Sequence, residues 1–455
     1  MAGGSGHAKG TLHVYVAYFD PGNEDSKVAL VRKFVEKTRP AVHSIITGDF
    51  NFVCSCTDRY VKATVHGRLQ TGMSLRWLDG WRGILSTSLS DLTPTIEDVD
   101  AVLADLPSSA PGPDGVPFVV FGIARAVLAP LFYDIVLGML RGSAVPPEDF
   151  NYAFLICLPK GSGSAVPDGT ECFEAGNTRP LSIVDASNRI IASIFRVVLD
   201  RFVAPRVSPT QRGFIRGRHM LRNVLDIDFA AQKISVTSNK GAILFFDFQA
   251  AFPSIDHTFM REVLSAVGLP MEFVNMLKMF DNDNKHKIKV CSQYFSSMTV
   301  RSGVRQGCPL SPLLFAMCAD VLLRELSMHI SGHEVARAFA DDTAAAVRDY
   351  GISIPVIAKL FTEFESTSCL AFNIKKTVFI PLWKYASESN VRALIRESAP
   401  AWRDIAVCSA GKYFGFWIGP GAGLKSWEKP ASGANFIDCL ERFVNDPETE
   451  GIIMI

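Results

Sequence analysis

The chain has 455 residues with 46 Lys+Arg against 46 Asp+Glu, so its formal net charge is zero and a uniformly basic coat for nucleic acid is excluded. At roughly 100–200 residues per domain the length implies two to four domains or subdomains, and 48% hydrophobic residues suffice for a packed core. Ten scattered cysteines without paired C-x2-C spacing read as reduced thiols, not as a zinc site. The start, Met1-Ala-Gly-Gly-Ser-Gly-His7, lacks the charged and apolar regions of a secretory signal. The most apolar stretch, 116–140, is interrupted by Arg125, Pro130 and Asp134, which suits core helices and not a membrane span. An intracellular protein is expected.

In chain order, Leu12-His-Val-Tyr-Val-Ala-Tyr18 alternates like a half-buried strand, and His43-Ser-Ile-Ile-Thr47 forms a second strand running into Gly48-Asp49-Phe50-Asn51. A helix over about 24–37 is predicted between them; the unit stops near Cys56, because residues 54–90 show no sustained period. The Thr93-Pro-Thr-Ile-Glu-Asp98 cap signal starts a helix that ends before the turn-forming Ser108-Ser-Ala-Pro-Gly-Pro-Asp-Gly115. A helical stretch over about 118–141, a strand over 153–158, a Gly/Ser loop over 161–170 and a long helix from Asp185 to about 203 follow. Between positions 177 and 240 eleven Lys/Arg face four Asp, a net +7 that suits phosphates or, as charge runs usually are, a solvated helix face.

The strand Gly241-Ala-Ile-Leu-Phe-Phe-Asp247 is apolar until it ends in a carboxylate, which either caps the next turn or holds a cation. Ninety-four residues later Val335-Ala-Arg-Ala-Phe-Ala340 reaches Asp341-Asp342, and Thr343-Ala-Ala-Ala-Val347 resumes an apolar strand, a hairpin with two acids at its tip. Adjacent carboxylates raise one another's pKa unless a cation compensates; the alternative is an ordinary Asp-Asp turn. Between the two lies Arg305-Gln306-Gly307-Cys-Pro-Leu-Ser-Pro312, a stiff entrance to a helix running to about Met328.

Phe246-Asp247-Phe-Gln-Ala-Ala-Phe252, Arg305-Gln306-Gly307-Cys-Pro-Leu-Ser-Pro312 and Phe339-Ala-Asp341-Asp342 closely resemble motifs A, B and C of reverse transcriptases of LINE-type, non-long-terminal-repeat retrotransposons. Asn177-Thr-Arg179-Pro-Leu-Ser182 and Gln211-Arg-Gly213-Phe-Ile-Arg-Gly-Arg218 resemble the fingers motifs of that family. Asn373-Ile-Lys-Lys376-Thr377 resembles a palm motif, and Lys412-Tyr413-Phe414-Gly415-Phe-Trp-Ile-Gly419 the primer-grip hairpin. Ser109-Ala-Pro-Gly-Pro-Asp-Gly-Val116 and Leu158-Pro-Lys160 match what such enzymes carry upstream, so the likeness spans about 90–420.

This resemblance implies RNA-directed DNA synthesis, with an RNA template, a DNA primer and dNTPs as partners. Asp247, Asp341 and Asp342 are its implied catalytic and metal-holding set: Asp247 and Asp341 would hold two Mg2+ ions, with Mn2+ as a substitute, and Asp342 would add charge. Arg179 and Lys160 are the implied triphosphate ligands, Lys160 doubling as a plain surface lysine. Phe252 would exclude a ribose 2′-hydroxyl, though a single Phe is often only core. Gln306 and Gly307 would line the nascent pair, or merely form a helix-entry turn. Lys376 would serve the leaving pyrophosphate, with Lys375 one position away as rival. Tyr413, Phe414 and Gly415 would grip the primer, although aromatic residues in short strands often only pack.

Gly48-Asp49-Phe50-Asn51 resembles the motif of the apurinic-type endonuclease that precedes such polymerases, but without the companion ligands Asp49 and Asn51 are orphans, and a nuclease-inactive remnant is expected. The expected fold is α+β: a right-hand polymerase with an antiparallel palm sheet, preceded by an α/β fragment. Boundaries are placed at 1–56 (endonuclease-like fragment), 57–105 (linker), 106–395 (fingers and palm) and 396–455 (primer-grip hairpin and truncated thumb). Competing readings are an inactive relic that binds nucleic acid, an RNA-directed RNA polymerase and a cationic RNA-binding module.

Overall fold

The computed structural model describes residues 88–423, apart from 162–163, 166–170, 173–177, 291–292, 331 and 384, together with Leu78 and two strands, β1 (His13–Val16) and β2 (Ser44–Thr47). β1 and β2 pair in parallel, His13 against Ser44. The predicted helix over 24–37, Asp49, Asn51 and everything after 423 lie outside the described residues.

Helix α1 (Ile96–Ala104) starts within the Thr93–Asp98 cap signal: Thr95 closes a capping box with Asp98. The predicted 118–141 stretch is two helices, α2 (Phe118–Ile123) and α3 (Arg125–Leu140). Strand β3 (Ala153–Pro159) follows, and a minimal ladder joins β4 (Ser164–Ala165), inside the expected Gly/Ser loop, to β5 (Glu171–Cys172) just beyond it. Then come β6 (Thr178–Val184), α4 (Ala186–Val203), α5 (Met220–Thr237) and β7 (Ala242–Phe246).

After β7 come α6 (Ala251–Ser254), α7 (His257–Ala266), α8 (Met271–Met279), the hairpin β8 (Lys285–Val290) and β9 (Gln293–Thr299), and α9 (Ser311–His329). The remainder is β10 (Val335–Phe339), β11 (Asp342–Val347), α10 (Tyr350–Ser368), β12 (Val378–Pro381), α11 (Glu388–Ser398), β13 (Ala406–Val407), β14 (Gly411–Tyr413) and β15 (Phe416–Ile418).

One sheet has the order β10-β11-β7-β12-β13. Its first four strands are antiparallel, as expected, but the edge strand β13 runs parallel to β12. β7 reads as an unbroken apolar run because both of its faces are covered. Ala242, Leu244 and Phe246 face one core with residues of α9 and α10, whereas Ile243 and Phe245 face a second core built from α5, β14 and β15. Burying each such Leu, Ile or Phe stabilises by roughly 1.5–3 kcal/mol. α5 supplies Leu221, Val224, Ile227, Ala231 and Ile234 at helical spacing to that second core.

A second sheet, β6-β3-β8-β9, stands beside the first. Polar side chains tie the chain before β3 to the end of α8: Asn151 donates to the carbonyls of Met279 and Asn282 at 2.7 and 2.6 Å. Arg305 in turn donates to Asn151 Oδ1 and to the Phe280 carbonyl, at 3.1 and 3.0 Å.

The +7 block is largely consumed inside the fold. Arg218 donates to four backbone carbonyls, of Ala204, Val207, Ser208 and Gln211. Arg189 binds Ser109 and the Ala110 carbonyl, Arg201 pairs with Asp98, Arg206 binds the Phe202 carbonyl, Arg212 pairs with Asp226 and Lys240 with Asp349. Six of the eleven cations therefore hold the chain together, so the block is neither a simple phosphate surface nor a simple solvated face. Among the described residues, no helix is long and apolar enough to cross a membrane.

His286 is buried in the second sheet, with Nε2 2.8 Å from Ser182 Oγ. Burial first, then the nearby Arg305 charge, hold its pKa down to about 4. An unfolded histidine titrates near 6.5, so the native state binds fewer protons between these values. The stability from the neutral ring is complete above about pH 6.5 and is lost as pH falls toward 4, by roughly 3 kcal/mol in all. Urea midpoints measured from pH 7 to 4.5 are expected to fall more steeply for wild type than for His286→Gln; parallel curves would refute this.

Candidate active site

Asp247 immediately follows β7 and is half-buried. Its backbone is pinned on both sides: Asn373 N donates to its carbonyl at 2.8 Å, and its own N–H donates to Thr377 Oγ1 at 3.3 Å. Asn373 Nδ2 also donates to Asp247 Oδ2 at 2.8 Å, which fixes the carboxylate. Thr343 pairs with Phe246 across β11 and β7, so Asp342, the first residue of β11, comes to the strand end beside Asp247. Asp341 sits in the turn just before it.

The three carboxyls are held above the ordinary carboxylate range. For Asp247 burial is the main cause, opposed by Lys376, the Asn373 bond and Lys160. Asp341 is raised by burial and then by the charge of Asp247. Asp342, at the exposed mouth of the site, is pushed up to about 6 by partial desolvation, then by Asp341 and Asp247. Mutually repelling, all-oxygen groups at an opening suit a hard divalent cation. Among the described residues no three acidic, imidazole or thiol groups form a closed ligand cluster. Further ligands would have to come from water or substrate phosphates, as is usual for Mg2+.

The turn carrying Asp341 is clamped from a distant segment. Ala340 takes φ +61° in the two-residue link between β10 and β11, where glycine is the usual occupant. Gln211, fully buried, accepts from Ala340 N at 2.9 Å and donates to the Ala340 carbonyl at 3.1 Å. Its Oε1 also accepts from Gly213 N at 2.8 Å, while Arg212 N and Ala338 N make 2.8 Å backbone bonds between the same two segments. Gly213 lies so close that a Cβ there would fall 1.9 Å from Ala340 N.

Cations approach from the second sheet. Arg179 on β6 pairs across the ladder with Leu158 of β3, and Lys160 follows β3; both are exposed. The Lys160 ammonium is held below its ordinary value by burial, then by Lys376 and Arg179, with Asp247 acting in the opposite direction. Lys160 and Lys376 thus share one field with Asp247, Arg179 acts on Lys160, and of the two adjacent lysines it is Lys376 that acts on this carboxylate. The Gln306 carbonyl accepts from Ser182 N at 2.9 Å. Gly307, at φ +111°, leaves no room for a Cβ against the Ser182 carbonyl, 2.7 Å away.

Phe252 is half-buried, its ring stacked on Phe315 at 4.6 Å and edge-on to Phe214 at 5.8 Å. Tyr413 lies in the core, 4% exposed and stacked on Phe245 at 5.0 Å, with burial raising its hydroxyl pKa. Phe414 and Gly415 form the turn of the β14–β15 hairpin, both at positive φ, and the Phe414 ring meets Phe339 at 5.6 Å beside the acidic turn. The roles of Asn373, Gln211 and Gly213 went unassigned from the sequence, although all three lie in segments that carry the resemblance.

Residues 159–418 match the family described as "Reverse transcriptase (RNA-dependent DNA polymerase)". The chain is 27% identical over 292 residues, 62% of its length and 39% of the relative's, to a retrovirus-related Pol polyprotein of the type-1 retrotransposable element R2 of Popillia japonica. It is 27% identical over 253 residues, 54% of its length and 22% of the relative's, to the corresponding polyprotein of the type-2 element R2DM of Drosophila melanogaster. A further relative is an uncharacterized 149 kDa protein of transposon TX1 of Xenopus laevis, 25% identical over 264 residues, 56% of this chain and 20% of that protein. The chain spans at most about two fifths of the length of these curated relatives. Since the family match covers more than half of its residues, the chain belongs to the reverse transcriptase (RNA-dependent DNA polymerase) family.

Proposed function

We propose that this chain catalyses RNA-directed DNA synthesis, adding nucleotides from dNTPs to the 3′-hydroxyl of a DNA primer paired to an RNA template. The observation that carries the reading is the convergence of Asp247, Asp341 and Asp342 at one strand end, with Lys376 and Lys160 in the field of Asp247 and Arg179 acting on Lys160. The five-stranded sheet serves as the palm of a right-hand polymerase and the four-stranded sheet as part of its fingers. The division into an endonuclease-like segment (1–56), a linker (57–105), fingers and palm (106–395) and a primer-grip hairpin with thumb residues (396–455) belongs to the same reading.

In the reaction a bond forms between the primer 3′-oxygen and the α-phosphorus, the bond from that phosphorus to the bridging oxygen breaks, pyrophosphate leaves and the hydroxyl proton is released. Asp247 and Asp341 would hold two Mg2+ ions, with Asp342 adding charge; such ions lower the pKa of the attacking hydroxyl and neutralise the developing charge. Asn373 orients the Asp247 carboxylate. Arg179 and Lys160 bind triphosphate oxygens through charge-assisted bonds. Lys376 delivers a proton or a hydrogen bond to pyrophosphate. Gln306 and Gly307 support the nascent base pair, and Phe414 and Gly415 present the turn that meets the primer. Phe252 lies against the sugar, its ring braced by Phe315, and excludes a 2′-hydroxyl.

Primer extension on poly(rA)/oligo(dT) with Mg2+ tests both activity and sugar choice. Wild type is expected to incorporate dTTP and to reject UTP, and Phe252→Val to admit ribonucleotides with a gain of about tenfold or more in kcat/KM. A folded wild-type protein that binds the duplex and incorporates nothing overturns the polymerase reading. Ribonucleotide preference in wild type would favour an RNA polymerase.

A further inference from the structure

Phe252 selects a sugar only as far as its ring cannot yield. Its backbone is fixed, because Val304 N donates to its carbonyl at 2.8 Å. Phe315, 1% exposed, closes one face of the ring by parallel stacking at 4.6 Å. A third ring, Phe214, meets Phe252 at right angles with 5.8 Å between centres, so the ring is bounded in a second direction as well.

Phe214 is not placed as a packing residue is. It is 39% exposed between Gly213 and Ile215, which are both buried, and it takes φ +63°, a left-handed conformation that a bulky side chain rarely adopts. Packing alone explains neither property, since burial would favour a covered ring on an unstrained backbone. The turn is held by its surroundings: Gly213 N donates to Gln211 Oε1 and Arg212 N to the Ala338 carbonyl, both at 2.8 Å. The Phe214 ring also leans on Phe339, 6.4 Å away, the residue opposite Asp342 in the β10–β11 ladder. Phe339 in turn meets Phe414 at 5.6 Å. Phe252, Phe214, Phe339 and Phe414 therefore form a row of rings from the nucleotide side of the site, past the acidic turn, to the β14–β15 hairpin.

We infer that Phe214 is a positioning residue for sugar selection: it holds the Phe252 ring where a ribose 2′-hydroxyl would clash, with Phe339 as its backing. The assignment rests on the reading of Phe252 as the group that excludes this hydroxyl, and deepens it. Truncating Phe214 leaves a space the size of a phenyl group beside Phe252, into which that ring can tilt. A ribonucleotide then enters at less cost, whereas a dNTP, lacking the hydroxyl, gains nothing from the added freedom.

The test is primer extension by the full chain on poly(rA)/oligo(dT) with Mg2+, read as the ratio of kcat/KM for dTTP to that for UTP. Phe214→Ala is expected to lower this ratio about fivefold and Phe214→Leu about twofold to threefold, while Phe214→Tyr keeps it because the ring remains. In the Phe252→Val background, Phe214→Ala is expected to change the ratio by less than about twofold, since the ring through which it acts is gone. A merely structural role would lower both substrates together and leave the ratio where it was. An unchanged ratio in Phe214→Ala, or an effect that multiplies fully with that of Phe252→Val, overturns the inference. Where Phe214→Ala does not fold, Phe214→Leu gives the same reading, and an unchanged ratio there overturns it equally. A wild type that extends nothing, or a Phe252→Val variant with unaltered sugar choice, overturns the underlying reading together with the inference. A relaxed Phe252→Val beside an unaltered Phe214→Ala refutes the inference alone.

Discussion

Asp247→Asn and Asp341→Asn are each expected to lower the rate of nucleotide incorporation by about three orders of magnitude, with the melting temperature unchanged or higher. The two effects have one cause. Each carboxyl is held above its ordinary pKa, by burial first and, for Asp341 and Asp342, also by repulsion from neighbouring carboxylates. Between about pH 4, where an unfolded aspartate titrates, and the value of about 6 for Asp342, the native state binds more protons than the unfolded chain. Metal-free stability from these groups is therefore greatest at low pH and is lost as pH rises through that window. At neutral pH the site is charged and strained, and replacing one aspartate by its neutral isostere relieves it.

Adding Mg2+ should accordingly raise the melting temperature of the wild type more than that of either variant, because binding to the native state alone stabilises by mass action. Single-turnover extension and thermal melts with and without Mg2+ check both halves. Retention of more than about a tenth of the wild-type rate by Asp341→Asn would remove this residue from the chemistry.

Gly213→Ala carries the second largest expected effect, a loss of about a hundredfold in kcat with duplex affinity nearly unchanged. The added Cβ would lie 1.9 Å from Ala340 N and 2.6 Å from the Phe339 carbonyl carbon, both backbone atoms of the acidic turn. No side-chain rotation relieves such a contact, so the turn must move by about 1 Å, and a misplacement of that size at a reacting centre costs roughly 10²-fold. Gln211→Leu acts on the same turn by another route. It leaves the buried N–H groups of Ala340 and Gly213 without their acceptor, at about 1–3 kcal/mol each. A Gly213→Ala protein that melts like wild type and keeps its kcat would show that the turn is positioned by other contacts.

How much was legible beforehand differs from residue to residue. The apolar run of β7 ending in Asp247 and the Asp341-Asp342 tip between apolar strands announce themselves, because a charge after a buried strand stands out against its neighbours. The helix of residues 186–203 was equally plain from its apolar periodicity and the Asp185 before it. The start of α1 lies within the Thr93–Asp98 cap signal, where Thr95 has an acid three residues on and Thr93 has Ile96. Tyr413 read either as a primer-grip residue or as packing, and it fills the space above Phe245, a partner 168 residues away.

By itself, the sequence determined the elements that end in acids, the order in which the motifs follow one another, and a zero net charge that confines nucleic-acid contact to local surfaces. Those properties are legible because periodicity, capping and local charge act over one or two turns of chain. Only the tertiary structure decided that Asp342 comes beside Asp247, that Gln211 holds the turn of Asp341, that Asn373 orients Asp247, and that the arginines of the basic block are largely engaged within the fold. Each depends on a ladder register or a hydrogen bond between residues far apart in the chain, and such pairings leave no periodic trace in the sequence around either partner.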